Sequence, residues 1–192
     1  MLPGLAGADE ASSVVTSSLS AMTPWTDDEI VAKIREYAEA KQLPPPASVE
    51  AASELESAVG HLMPPLLRRL YCEVANGGFG VDGDVVSLTD VDRWFSDEES
   101  LIKIHQEWST PDEQLDLYPN HILPLATMGC AIWWHIDFST PEGRMWGWDP
   151  NSLCERHRLF PEQFTLAEWL TDWLQGHRTF PNIADVPDCP DC

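Results

Sequence analysis

The chain is short of basic side chains. Its 192 residues carry 11 Lys and Arg against 32 Asp and Glu, a formal net charge of -21. A field of that sign repels phosphates and anionic membrane surfaces, which disfavours nucleic acid and lipid as partners and favours a cationic one. The few basic residues are also scattered, without the patch or stripe that a nucleic-acid track needs. Solubility alone is the bland account of the same surplus.

Long apolar runs are missing too, and no segment approaches the length needed to cross a membrane. The first twenty residues are small and polar and have neither the basic start nor the apolar stretch of an export signal, so a cytoplasmic location is expected. Five cysteines, an odd number, argue against a disulfide framework. Cys72, inside an apolar helical pattern, and Cys130, ahead of a strand, are expected as buried thiols.

Catalytic motifs are equally scarce. Gly77, Gly78 and Gly80 follow a helix rather than a strand, and no phosphate-loop lysine accompanies them. A serine elbow of the form G-x-S-x-G does not occur. Cys189 and Cys192 form a C-x-x-C, but Pro187, Asp188, Pro190 and Asp191 surround it with helix breakers and negative charge that disfavour a thiolate. Zinc wants about four ligands and there is no second such pair. His157 and His177 would complete a site only by coincidence of folding. A frayed tail is the simpler account, with metal and disulfide both left open. No pattern points to a cofactor or a reaction, and a non-catalytic domain is expected.

What is present is a patterned body. Nine tryptophans are too many for a disordered acidic chain, and the length suits one core. The expected division is a flexible extension over residues 1–24, one domain over 25–180 and a tail over 181–192. Thr26 with Glu29 forms a capping box ahead of Ile30, Ile34 and Tyr37, and Pro44 to Pro46 end that helix. Ser48 opens a second, with Ala52, Leu55 and Val59 as its stripe and Gly60 as its cap. Pro64 and Pro65 open a third, carrying Leu66, Leu67, Leu70, Tyr71 and Val74 inward until Asn76, Gly77 and Gly78 turn the chain.

The period then changes. Val85, Val86 and Leu88 predict a short strand, and Ser96 to Glu99 predict the start of a helix bearing Leu101, Ile104, His105 and Trp108. Residues 109–120 read as loop. Ile122 to Ala126 predict a strand that Pro124 confines to a sheet edge or a strand's beginning. The run AIWWHIDF over 131–138 is the strongest strand signal, with Ile132, Trp134, Ile136 and Phe138 on one face and Trp133, His135 and Asp137 on the other. A turn at Pro141 to Gly143 joins it to RMWGWD in a hairpin. A second capping box, Thr165 with Glu168, starts a last helix with Leu166, Trp169, Leu170, Trp173 and Leu174. The expected class is α+β: a small, mostly antiparallel sheet packed against N-terminal helices and a C-terminal helix.

Candidate binding residues come from two features. Between Asp82 and Asp116 stand eleven acids opposed only by Arg93 and Lys103, among them Asp82, Asp84, Asp97, Glu98, Glu99, Asp112 and Glu113. An electrostatically steered partner would land there, although a solvated helix face gives the same count. The hairpin supplies Trp133, Trp146 and Trp148 as interface anchors, with core packing against Trp169 and Trp173 as the alternative. His135 and Asp137 share a strand face, with Asp149 expected nearby across the hairpin. That trio suits a surface or interface, or part of a metal or acid–base site that lacks a third clear ligand.

In their order and spacing these pieces resemble the SUKH superfamily, which includes yeast cell-wall synthesis regulators and many bacterial toxin-immunity proteins. The resemblance spans roughly residues 26–178. It rests on Glu56 and Gly60 as E-x-x-x-G, on Leu66, Leu70 and Tyr71 in the proline-led helix, and on Asn76-Gly77-Gly78. ILPLATMGC over 122–130, the hairpin WHIDFSTPEGRMWGWD, and Phe164, Leu166, Trp169 and Leu170 complete it. The acidic insert around 97–118 and the last dozen residues fall outside. The resemblance implies an α+β fold without catalysis and, in many bacterial members, neutralisation of a polymorphic toxin, often a nuclease. A basic toxin or nuclease domain is then the expected partner. A regulatory scaffold is the other role found in the superfamily.

Overall fold

The computed structural model describes residues 25–81, 85–91, 99–108, 119–152 and 157–181. The expected extension over 1–24, the tail beyond Pro181 and the loop over 109–118 lie outside the described residues. So do six of the candidate acids: Asp82, Asp84, Asp97, Glu98, Asp112 and Glu113.

Three helices open the described part of the chain as their caps predict. In α1 (Asp27–Lys41) the Thr26 hydroxyl accepts from the Glu29 amide at 3.3 Å while the Glu29 carboxylate accepts from the Thr26 amide at 2.8 Å. Those hydrogen bonds hold the Glu29 carboxyl below its usual pKa. Helix α2 (Val49–Val59) is capped by Ser48 and ends at Gly60, whose φ is +78°. Its Glu56 then reaches past the turn, accepting from the Met63 amide at 3.1 Å and from Arg68 Nε at 3.2 Å. One carboxylate thus ties the end of α2 to the start of α3 (Pro65–Arg69). The sequence predicts a regular helix through Val74, but α3 widens into a π-helical turn over Leu70–Val74, closed by the Ala75 amide on the Leu70 carbonyl at 3.0 Å. Leu70, Tyr71 and Val74 are all buried there.

The chain next passes through a tight crossing. Gly77 adopts a φ of +87°, and a Cβ at that position would stand 2.7 Å from the Ser87 Cα and 2.8 Å from the Val86 carbonyl oxygen. Asn76 locks the crossing. Its Oδ1 accepts from the Leu88 and Thr89 amides at 2.8 and 3.2 Å, and its Nδ2 donates to the Thr89 carbonyl and hydroxyl. Tyr71 adds a hydrogen bond from its hydroxyl to the Val86 carbonyl at 2.8 Å. The strand expected over Val85 to Leu88 is therefore not one. Only Val85 bridges the sheet, opposite Ala126, because the amides that would extend a ladder are taken by Asn76.

That segment feeds α4 (Leu101–Trp108), whose first amides donate to the Ser87 and Leu88 carbonyls at 2.7 and 3.3 Å. The helix begins at Leu101, two residues past Glu99. It lays Leu101 and Ile104 against the body and packs beside the first strand.

Four antiparallel strands follow in the order β1-β2-β3-β4: β1 (Ile122–Thr127), β2 (Trp133–Asp137), β3 (Arg144–Trp148) and β4 (Leu159–Thr165). The α+β class and the tryptophan hairpin are as expected. Strand β4 is not; Pro161 and three polar residues hide its alternation of buried Phe160, Glu162 and Phe164. Both outer strands carry a proline, Pro124 and Pro161, in keeping with the limited place of proline in a ladder. Trp134 leaves the sheet's inner face to meet Phe164 at 5.5 Å and Trp169 of α5 (Leu166–Leu174) at 6.1 Å between ring centroids.

The two glycine positions give a direct test. Gly60→Ala meets only the cost of a left-handed φ, about 1 kcal/mol, since nothing lies within 4 Å of its Cβ. Gly77→Ala must also displace backbone and is expected to cost at least about 2 kcal/mol more in urea unfolding. Equal losses at the two sites would show that the crossing is looser than the distances state.

Candidate functional site

The hairpin's outer face is built by register. Trp133 stands opposite Trp148, and His135 opposite Trp146 and Pro124. Directly paired side chains in adjacent strands are close neighbours. Trp133, Trp146 and Trp148 are all half-buried, so each keeps part of its surface in water.

His135 and Asp137, expected at a surface, are buried: 2% and 6% exposed. The imidazole lies 6.3 Å from the Trp148 ring, centroid to centroid. Burial drives its pKa down to about 3, against the opposing effect of a hydrogen bond with the Trp133 backbone, so the ring is neutral at pH 7. Asp137 is committed to the hairpin turn, its Oδ1 accepting from the Ser139 amide at 2.7 Å, with His121 Nε2 3.8 Å away. Asp149 serves the opposite end, accepting from the Asn151 amide and side chain at 2.8 Å each. The expected meeting of Asp149 with Asp137 across the hairpin does not occur. The register sets Asp149 one step beyond the Trp133–Trp148 pair and Asp137 four steps the other way, roughly 16 Å along the strands. Each carboxylate satisfies its own turn. Among the described residues no group of three His, Cys, Asp or Glu side chains gathers as metal ligands would.

The open feature lies beside these tryptophans. A groove of about 530 Å³ runs between α4 and the outer face of the sheet. Pro124, Trp133 and Trp148 line its sheet side, Ile104 and Glu107 line the helix side, and Glu99, just ahead of α4, lines it as well. The turn after β1 closes one end with Gly129, Cys130 and Ala131, all at positive φ (79°, 52° and 61°). Cys130, expected buried, is exposed there because this left-handed turn swings it away from the strand; Cys72 is half-buried.

Among the described residues, the only charged ones lining the groove are the two glutamates. Lys103 is the nearest cation described on α4, and it is already committed, 2.6 Å from Asp90 on the segment that feeds the helix. Elsewhere Lys33, Arg68 and Arg69 are likewise paired with carboxylates. These four of the chain's eleven Lys and Arg are thus paired with carboxylates within the molecule.

Of the sequence-derived candidates that the structure describes, Glu99, Trp133 and Trp148 come together, while Trp146 lies two pairs farther along and His135 and Asp137 lie in the sheet. Glu107 and Pro124 were missed. Glu107 had a signal, since it falls three residues after the apolar Ile104 on the same helix, but nothing local said what that helix crosses. Comparisons with protein-family models, with curated proteins and with solved structures give no match to this chain.

The buried imidazole has a pH consequence. Its folded pKa lies below the ordinary 6.5 of the unfolded chain, so between the two the unfolded state binds more protons. Stability is full above pH 6.5 and is lost as pH falls towards 3, with a slope of up to about 1.4 kcal/mol per pH unit from this group. His135→Gln is expected to flatten the fall in urea midpoint between about pH 7.5 and about pH 4.5. An unchanged fall would mean that the ring is hydrated in the folded state.

Proposed function

We propose that this protein is a non-catalytic protein-binding domain, and specifically an immunity protein that binds a basic polymorphic toxin and neutralises it in the cytoplasm. The observation that carries the reading is the pairing of a large carboxylate surplus with an open groove lined by Trp133, Trp148, Glu99 and Glu107. Long-range attraction brings a cationic partner in, and aromatic side chains in a partly desolvated groove supply the short-range contact that charge alone does not. The SUKH resemblance of the helical exit, the hairpin and the last helix supports the same role, since many members of that superfamily are immunity proteins. In this reading the protein covers the cationic active site of its toxin and excludes the polyanionic substrate.

Co-expression with a basic toxin encoded beside it is the test. Protection of the host cell and a stable purified complex are expected. The association rate should fall by about tenfold or more as NaCl rises from about 20 mM to about 500 mM, with dissociation much less affected. Absence of both rescue and complex overturns the proposal, and capture of a host protein without protection would mark a regulatory scaffold instead.

A further inference from the structure

We infer that the groove between α4 and the tryptophan hairpin receives an arginine side chain of the partner. Its guanidinium would stack on Trp133 and Trp148 and pair with Glu99 and Glu107. The inference rests on the proposal above that the partner is a basic protein, and it names the chemical contact at which that partner is held.

Four features of the groove converge on this occupant. Trp133 and Trp148 are cross-strand partners, so two indoles stand side by side on one sheet face, and tryptophan is the strongest aromatic acceptor for a cation. Both are half-buried, which leaves part of each ring accessible beside the low-dielectric body. Among the described residues the groove is lined by two carboxylates and no cation, and both glutamates are exposed. Lys103 does not fill the place, because its ammonium is held by Asp90 at 2.6 Å; Glu99 and Glu107 add only longer-range attraction to it.

An apolar peptide fits less well, because it would leave two carboxylates at its edge without a partner. An acidic peptide is repelled. Lysine satisfies the charge, but its compact, strongly hydrated ammonium does not match flat indole faces as a planar guanidinium does. An arginine also offers two parallel N–H donors to each carboxylate it meets.

The test uses the whole chain and two short probes, acetyl-Gly-Arg-Gly-amide and the same peptide with citrulline, which keeps the planar shape and loses the charge. Indole N–H resonances of Trp133 and Trp148 are assigned from Trp133→Phe and Trp148→Phe. The arginine peptide is expected to shift both saturably with a millimolar Kd while leaving Trp173 in place. The citrulline peptide should shift neither. Glu99→Gln with Glu107→Gln, at exposed positions that leave the fold intact, should weaken the arginine peptide by about threefold or more. Equal shifts from both peptides, no shift from either, or an affinity indifferent to the double substitution overturns the inference.

The same double variant separates this inference from the functional reading. If it protects against a basic toxin as well as the natural chain does, the groove is not the contact and the immunity role stands. If the arginine peptide binds as expected while no toxin is neutralised, the groove stands and the immunity role falls.

Discussion

Where a side chain on residue 77 would stand, the backbone of Val86 and Ser87 already passes. That close crossing is the constraint on which the rest of the molecule depends. It brings the helical layer and the segment before α4 within direct backbone reach. Asn76 then uses both ends of its amide to bind Leu88 and Thr89, and Tyr71 donates to Val86 from the core. The same short segment donates from the Val86 amide to the Leu125 carbonyl of β1 and accepts the first amides of α4. One stretch of five residues therefore joins the helices, the sheet edge and the helix that walls the groove. Buried polar groups with every partner supplied are rigid, and those left unpaired are costly.

The hairpin shows how one sheet serves two purposes. Alternation sends Trp134, Ile136 and Met145 into the core, where Trp134 meets Phe164 and Trp169. The intervening residues put Trp133, Trp146 and Trp148 on the opposite face, with His135 between strands and neutral through burial. A period of two makes the separation strict, since a slip of one residue would exchange the two sets. Gly147 belongs to the same arrangement: a Cβ there would lie 2.4 Å from the Phe160 ring, so its absence admits β4 to the sheet with Phe160 facing inward.

Charge acts at a different range. The surplus carboxylates govern approach and carry little shape information, because exposed charges are screened over roughly 10 Å at ordinary salt. The groove works at contact distance. Its two indoles lie together only because β2 and β3 pair, and its two glutamates line the same groove only because α4 is anchored beside β1. A cationic partner drawn in by the whole surface would thus be sorted by a small part of it.

Much of the architecture was legible from the chain itself, because it follows from local rules. Both capping boxes, the Gly60 stop, the proline-led helix and the tryptophan hairpin depend on neighbours within a few residues, and they stand where the pattern puts them. Local signals failed where a distant partner decides. Strand β4 pairs although Pro161 and Glu162 weaken its pattern, since β3 offers a free edge and Gly147 makes room. Val85 to Leu88 look like a strand but lose their ladder to the Asn76 amide. Cys130 is exposed by a left-handed turn that its composition did not announce. The acidity of the surface and the two-faced tryptophan pattern were determined by the amino-acid sequence alone, because charge and alternation are local properties. The juxtaposition of Glu99 and Glu107 with Trp133 and Trp148 was decided by tertiary structure, because it needs a backbone crossing at Gly77 to carry one helix beside a strand edge some twenty residues farther along the chain.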